Sequence, residues 1–510
     1  MCTQRVANIE PGRRIDVSIR YFNTLRYDDG WYEFVFPMVV GPRFNPAGTV
    51  DGIGATGQAQ QGDSGQRTEV QYLKPDERSG HDIALSVELD PGVRIEAIDS
   101  VNHRVTVMRQ SASRVYYSDG ERRWDEVVEH PVRVAQDEPM DGPVTVSLAA
   151  DDTLPNRDFV LRFRVAGEAV RSSMLTYEDE RGGYFTLMLY PPGDLRRLPR
   201  QPLEMIFVLD CSGSMRGRPL EQARDAVRSA VRQLEPVDTF QIVRFSDRAS
   251  ASAHRPVPAT GANVHKALKY LDRLEADGGT MMVRGVEAAL RTAVDPERYR
   301  VVAFLTDGYI GNESDVLRTV EQHVGDARIF SFGVGSAPNR YLMYEMARVG
   351  RGAVAYLSLN DDPDDVMQRY LARISHPAMT DVAIDFGDMD VYDVYPTRLN
   401  DLFVGRPVVV TGRYRGGRGD DVLVTGRAGG ETLGMPVAVR RMDEARGGRG
   451  IAQVWARHKL ADMQWADSIE PGGERRGDML RLALDHALVS PQTAFIAVDA
   501  TRRTEGRGGT

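Results

Sequence analysis

Two hydrophobic rhythms divide the chain. Residues 14–21 alternate apolar with polar, as do 83–89 and 159–165, which is the period of a half-buried strand. A β-rich run from Trp31 to Val40 follows the Asp/Gly turn at 27–30, and further turn signals stand at Asp90-Pro91-Gly92 and Arg181-Gly182-Gly183. These stretches predict an antiparallel sandwich over 81–190.

From residue 205 the pattern changes. Met205–Leu209 is continuously apolar, as a strand buried on both faces requires. A helix is expected over 218–234, with Leu220, Ala223, Val227, Ala230, Val231 and Leu234 on one face. Strands are expected at 240–245, 301–305, 329–334 and 353–357, and helices at 262–275, 282–293, 313–325, 338–349 and 363–375. Strands alternating with helices predict a mainly parallel sheet with helices on both faces. Residues 380–440 return to β patterning, followed by helices at 451–463 and 477–488 and a strand at 493–498.

Composition narrows the field. In 510 residues the net charge is −9, and only four of the 64 basic residues are Lys. No arginine cluster suggests a nucleic-acid groove, so no nucleic acid is expected as partner. The two cysteines, Cys2 and Cys211, give no disulfide scaffold and no zinc spacing. No apolar run reaches 18 residues, so no membrane span is expected, and the first residues have no signal-peptide core.

Three motifs fall at predicted carboxyl ends of strands or on the adjoining loops, where open α/β sheets place ligands. They are Asp210-Cys211-Ser212-Gly213-Ser214, Gly278-Gly279-Thr280 and Thr306-Asp307-Gly308. Ser212, Ser214 and Thr280 offer neutral hydroxyls, and Asp210 and Asp307 offer charge, directly or through water. A hard ion such as Mg²⁺ takes about six such oxygens. An inner shell dominated by hydroxyls leaves the ion electron-poor, so that it seeks a carboxylate from outside. Alone, Asp-x-Ser-x-Ser also describes a turn and helix cap. It is the ordered set of three motifs that points to a metal.

This set resembles the von Willebrand factor A pattern with its metal-ion-dependent adhesion site (MIDAS). The family's five site residues map onto Asp210, Ser212, Ser214, Thr280 and Asp307 without substitution. The resemblance implies a Rossmann-like domain and cation-dependent protein binding, not an enzyme. The ion would be Mg²⁺, or Mn²⁺ or Ca²⁺, and the partner a protein offering an Asp or Glu. Upstream, residues 6–12, 32–37, 40–44 and 79–83 resemble the vault/inter-alpha-trypsin (VIT) domain. Residues 455–457 and 488–498 resemble the ends of inter-alpha-trypsin inhibitor heavy chains, as a bacterial-type relative would. The heavy chains' Asp-Pro-His-Phe motif for covalent glycan attachment is absent, so hyaluronan coupling is not implied.

The expected fold class is multidomain α/β plus β, a von Willebrand A domain flanked by β-sandwich-like regions. Its expected divisions are a partial VIT domain (1–45), a Gly-rich linker (46–80), a β-rich domain (81–200), the A domain (201–376, separable), a C-terminal β-rich region with two helices (380–500) and a disordered tail (501–510). The VIT likeness is already under way at Val6, so a missing N-terminal half, and with it export to the cell envelope, is an expectation. Self-association as an envelope protein is the rival reading, and a metal-dependent hydrolase the weaker one, since no general base stands out. Gly52–Gly57 matches G-x-G-x-x-G outside any strand-to-helix context. Arg418-Gly419-Asp420 lies in a Gly/Arg-rich turn, and 361–365 reads as an acidic helix start. Cys211 reads as a small side chain within the motif.

Overall fold

The structure is a computed structural model. It describes residues 25–38, 60–61, 67–68, 82–109, 115–116 and 142–493, with gaps at 29, 155–156, 166, 195, 197, 293–294, 296, 309, 336–337, 358–360, 418, 430, 445–446 and 470–473. The strand expected at 14–21, the G-x-G-x-x-G match, all but four residues of 46–80, Arg418, residues 494–498 of the last strand and the tail 501–510 lie outside the described residues, as does most of the region likened to a VIT domain.

The chain divides into two compact units. In the first, Trp31–Phe36, Phe159–Arg164 and Ala97–Ser100 lie side by side in one sheet. Ser86–Leu89, Val144–Leu148, Val105–Arg109 and Val115–Tyr116 follow one another across a second. Alternation decides what is buried: Phe159, Leu161 and Phe163 are inside, while Arg162 is exposed and pairs with Glu33 at 2.6 Å.

The second unit, mainly Val165–Ala487, contains the parallel sheet. Its elements are β1 (Leu203–Asp210), α1 (Arg218–Gln233), β2 (Thr239–Phe245), α2 (Gly261–Asp272), α3 (Met282–Leu290), β3 (Tyr299–Thr306), α4 (Glu313–His323), β4 (Arg328–Val334), α5 (Arg340–Val349), β5 (Val354–Leu357) and α6 (Pro363–Ile374). The order is β2-β1-β3-β4-β5, all parallel, with Ala249–Ala251 and Val257–Pro258 antiparallel on β2. Every residue of β1, β3 and β4 is buried, which explains their unbroken apolar runs. Met205, Phe207 and Leu209 face α1, α2 and α6. Ile206 and Val208 face α3, α4 and α5. Helices therefore cover both faces.

A β-sandwich completes this unit, and it draws on both flanks of the parallel-sheet domain. Gly182–Tyr190 pairs antiparallel with Arg171–Asp179 on one side and with Val408–Arg415 on the other, and Val439–Arg441 joins Arg171–Asp179 in parallel. Leu402–Phe403, Pro377–Asp385, Leu423–Ala428 and Glu431–Pro436 form the facing sheet. Phe185, Leu187 and Leu189 meet Met379, Val410 and Val424 in their shared core. The divisions expected at 81–200 and 380–500 are thus crossed by hydrogen bonds. The physical reason is that Gly182–Tyr190 is a central strand: Arg171–Asp179 fills one edge, and the other is filled only when the chain returns some 220 residues later.

The other face of that strand lies under α7 (Arg449–Ile469), where Trp455 packs on Tyr184 with ring centroids 5.3 Å apart. α7 continues beyond the expected 463 because Trp465 sits beneath the Arg348 guanidinium of α5, 4.6 Å from its ring centre. α8 (Glu474–Asp485) follows. Among the described residues no helix is long and apolar enough to cross a membrane.

Candidate metal centre

The strand order sets where a ligand can enter. The chain leaves β1 toward β2 on one side and returns to β3 on the other, so the crevice beyond the carboxyl ends of β1 and β3 is the topological switch point of the sheet. Asp210 is the last residue of β1, and Thr306 is the last of β3, with Asp307 directly after it.

Asp210 is completely buried. Its Oδ1 accepts from the Ser212 backbone N–H at 2.9 Å and its Oδ2 from the Thr306 hydroxyl at 2.6 Å. Burial raises its pKa and the nearby negative charge of Asp307 adds to this, against the bonds from Ser212 and Thr306. The same Thr306 hydroxyl accepts from the Gly308 backbone N–H at 2.8 Å and so sets the turn that carries Asp307. Ser212 is buried and Ser214 exposed, and their hydroxyl oxygens are 3.1 Å apart.

Thr280 is half-buried on a loop bonded to this one. Gly213 N–H donates to Gly278 O at 3.1 Å, and Asp277 N–H to Cys211 O at 2.8 Å. Gly279 N–H donates to Asp247 Oδ1 at 2.8 Å, and Met281 N–H to Ser246 O at 2.9 Å. Gly278 has φ +66°, and a Cβ there would fall 2.2 Å from Asp247 Oδ2, so only glycine fits. Asp307 is half-buried, and its carbonyl accepts from the Asn339 backbone N–H at 2.8 Å. Asn339 caps α5 through Leu342 N–H at 3.1 Å, while its amide donates to Gly308 O and Glu313 Oε1.

The structure thus brings Asp210, Ser212 and Ser214 together directly and ties the loops of Thr280 and Asp307 to the same edge. Sequence reasoning named Thr306 only as part of a motif and missed Asp247 and Asn339. Asp247 carried a readable signal, an aspartate two residues past the carboxyl end of β2. Asn339 carried none, because its contact with Asp307 spans 32 residues and exists only in the fold. Cys211 is fully buried and its thiol is pushed up to about 12 by desolvation, which removes it as a nucleophile near neutral pH.

The donor set fits a hard cation. All five candidate side chains bind through oxygen, and neighbouring ligands on an octahedron with bonds near 2.1 Å lie about 3 Å apart, as the two serine hydroxyls do. Among the described residues no group of three or more His, Cys, Asp or Glu could hold a metal. A site here therefore depends on hydroxyls working beside carboxylates.

A doubly wound sheet with an oxygen-rich crevice at its switch point defines a class, and the comparisons agree. Residues 203–356 match the family model of the von Willebrand factor type A domain. Over 204 residues the chain is 29% identical to a von Willebrand factor A domain-containing protein of Dictyostelium discoideum, covering 40% of this chain and 22% of that one. Over 291 residues it is 28% identical to inter alpha-trypsin inhibitor heavy chain 4 of Mus musculus, covering 54% and 30%. Heavy chain H3 of Rattus norvegicus is 24% identical over 371 residues, covering 68% and 41%. The chain is thus homologous to these heavy chains and spans well under half the length of each. Among solved structures it is similar to a von Willebrand factor type A protein from Catenulispora acidiphila, with TM-score 0.45 and 16% identity over 63% of this chain and 88% of that one. It is also similar to proximal thread matrix protein 1 of the mussel byssus, solved with a zinc-occupied MIDAS motif, with TM-score 0.29 and 19% identity over 34% and 46%.

Proposed function

We propose that this chain is a divalent-cation-dependent protein-binding protein. Asp210, Ser212, Ser214, Thr280 and Asp307 would hold Mg²⁺ or a similar ion, and a carboxylate from a partner protein would complete the shell. The bound ion would supply a Lewis-acidic point that neutral hydroxyls leave unsatisfied. The chain's own contribution is positioning: Thr306 and Ser212 fix the Asp210 carboxylate, and Asn339 fixes the backbone of Asp307.

The observation that carries the reading is the fully buried Asp210 carboxylate at the switch point, beside two hydroxyls spaced as neighbouring ligands. Residues 1–45 would be a partial VIT domain, on the sequence resemblance alone.

Titration calorimetry with Mg²⁺ and Mn²⁺ tests the site. Binding is expected in the wild type and absent in Asp210→Ala. Because Asp210 is buried, the exposed Ser214→Ala is measured beside it and is expected to weaken binding without loss of fold. Unchanged affinity in both variants would overturn the assignment. Size-exclusion chromatography with and without EDTA separates a foreign partner from a second copy, since self-assembly changes the mass with no partner present.

A further inference from the structure

The loops around this site carry arginines that the fold itself does not use. Arg216 and Arg218 follow the Ser212–Ser214 loop, Arg248 lies just past β2, and Arg284 is in the first turn of α3, four residues after Thr280. The backbone bonds from Gly213 to Gly278, from Met281 to Ser246 and from Ser246 to Arg248 hold these three loops together. All four arginines are exposed, and among the described residues their guanidinium groups make no hydrogen bond or ion pair.

The neighbouring charges are engaged. Arg244 pairs with Asp277 at 2.6 Å and also reaches Ser246 at 2.8 Å. Asp247 accepts from Gly279 N–H, and Asp210 accepts from Ser212 and Thr306.

Helix stability does not explain the placement. Arg218 and Arg284 stand in the first turns of α1 and α3, where the helix dipole favours acidic residues and a cation costs a few tenths of a kcal/mol. The same dipoles favour an incoming anion. Two large apolar side chains complete the surface: Met281 beside Thr280 is 47% exposed, and Tyr341 at the start of α5 is 46% exposed.

Resting on the metal reading above, we propose that this rim selects an acidic protein segment, in which one carboxylate goes to the ion and flanking carboxylates pair with Arg216, Arg218, Arg248 and Arg284. Guanidinium and carboxylate match as two-pronged partners. A net charge of −9 on the whole chain repels a long polyanion, so the attraction is confined to this rim. Met281 and Tyr341 suit the apolar side chains of a peptide better than a sulfated sugar.

Fluorescence anisotropy on the full chain in millimolar Mg²⁺ tests this. The probes are two labelled peptides of about a dozen residues with one central Asp, flanked by Glu in the first and by Gln in the second. The Glu-flanked peptide is expected to bind roughly tenfold tighter or more, with an advantage that shrinks as salt rises. In the quadruple variant Arg216→Gln/Arg218→Gln/Arg248→Gln/Arg284→Gln that advantage should vanish, while EDTA-sensitive binding of the Gln-flanked peptide persists. No advantage from acidic flanks, an advantage retained by the quadruple variant, or a sulfated oligosaccharide binding as tightly as the Glu peptide would each overturn the proposal. An advantage that depends on the arginines but survives EDTA would support the rim and overturn the metal reading.

Discussion

Thr306 shows how much one hydroxyl holds in place. It donates to the buried Asp210 carboxylate and accepts from Gly308 N–H, so it couples the ends of β1 and β3 at the point where an ion would sit. Thr306→Val keeps the shape and removes both bonds. Losing a partner from a buried polar group costs about 1–3 kcal/mol, so the variant is expected to be less stable by that amount in urea unfolding. It should also bind Mg²⁺ more weakly in calorimetry, because Asp210 is no longer fixed. Wild-type values in both measurements would refute the coupling. At this scale the candidates Asp210, Ser212, Ser214, Thr280 and Asp307 could be named because their spacing resembles a known pattern. Thr306 and Asn339 act through bonds that form only when β1, β3 and α5 meet, and no local pattern announces that meeting.

Among the elements, strands and helices were readable where their rhythm is local. The apolar runs of β1, β3 and β4 are buried along their whole length. Partners distant in sequence were not readable, and the sandwich is the clear case, since a strand does not name the neighbour that fills its edge. The layer over that sandwich carries a pH dependence. His486, just beyond α8, is 5% exposed and packs against both Trp455 and Tyr184, with ring centroids 5.5 and 5.8 Å away. Desolvation first, then the charges of Arg181 and Arg413, bring its pKa down to about 4, against the opposing charges of Asp179 and Asp485. The folded form therefore holds His486 neutral, while the unfolded chain protonates it near 6.5. Its contribution is complete above about pH 6.5 and fades as pH falls toward 4. Between pH 7 and 4 the wild type is expected to lose on the order of 2–3 kcal/mol more stability than His486→Phe. Parallel stability curves for the two proteins would rule out this role.

At the scale of the second unit, the edge that carries the candidate site and the anchored edge of the parallel sheet lie at opposite ends. β3 begins at Tyr299 and ends at Thr306, a span of about 23 Å for a strand of that length. At its start, the buried Tyr299 donates to Asp401 Oδ2 at 2.5 Å. Arg328, the first residue of β4, holds both Asp401 oxygens at 2.6 and 3.0 Å and reaches Asp381 at 2.9 Å. Asp381 and Asp401 belong to the sandwich segment, and Phe403 from that segment packs 5.9 Å from Phe330 inside the A-type core. A charged network and an apolar plug therefore join the A-type domain to the sandwich at its base, at the end of the sheet opposite the candidate site. Without Asp401, Arg328 keeps only Asp381 and the Tyr299 hydroxyl loses its acceptor, and leaving buried polar groups without a partner costs about 1–3 kcal/mol each. Asp401→Ala in the full chain is thus expected to lower the stability of the A-type domain by that amount, read from its urea transition, and to separate its unfolding from that of the sandwich. Residues 200–376 expressed alone have their own core and are expected to unfold cooperatively. Their midpoint should be lower than in the full chain, because Tyr299 and Phe330 lose the cover of Phe403. In a background where Trp31, Trp124 and Trp465 are replaced by Phe, tryptophan fluorescence reads the sandwich through Trp455, and far-ultraviolet circular dichroism is dominated by the helices of the A-type domain. Coincident transitions at the wild-type midpoint in Asp401→Ala would show that the base network does not join the two.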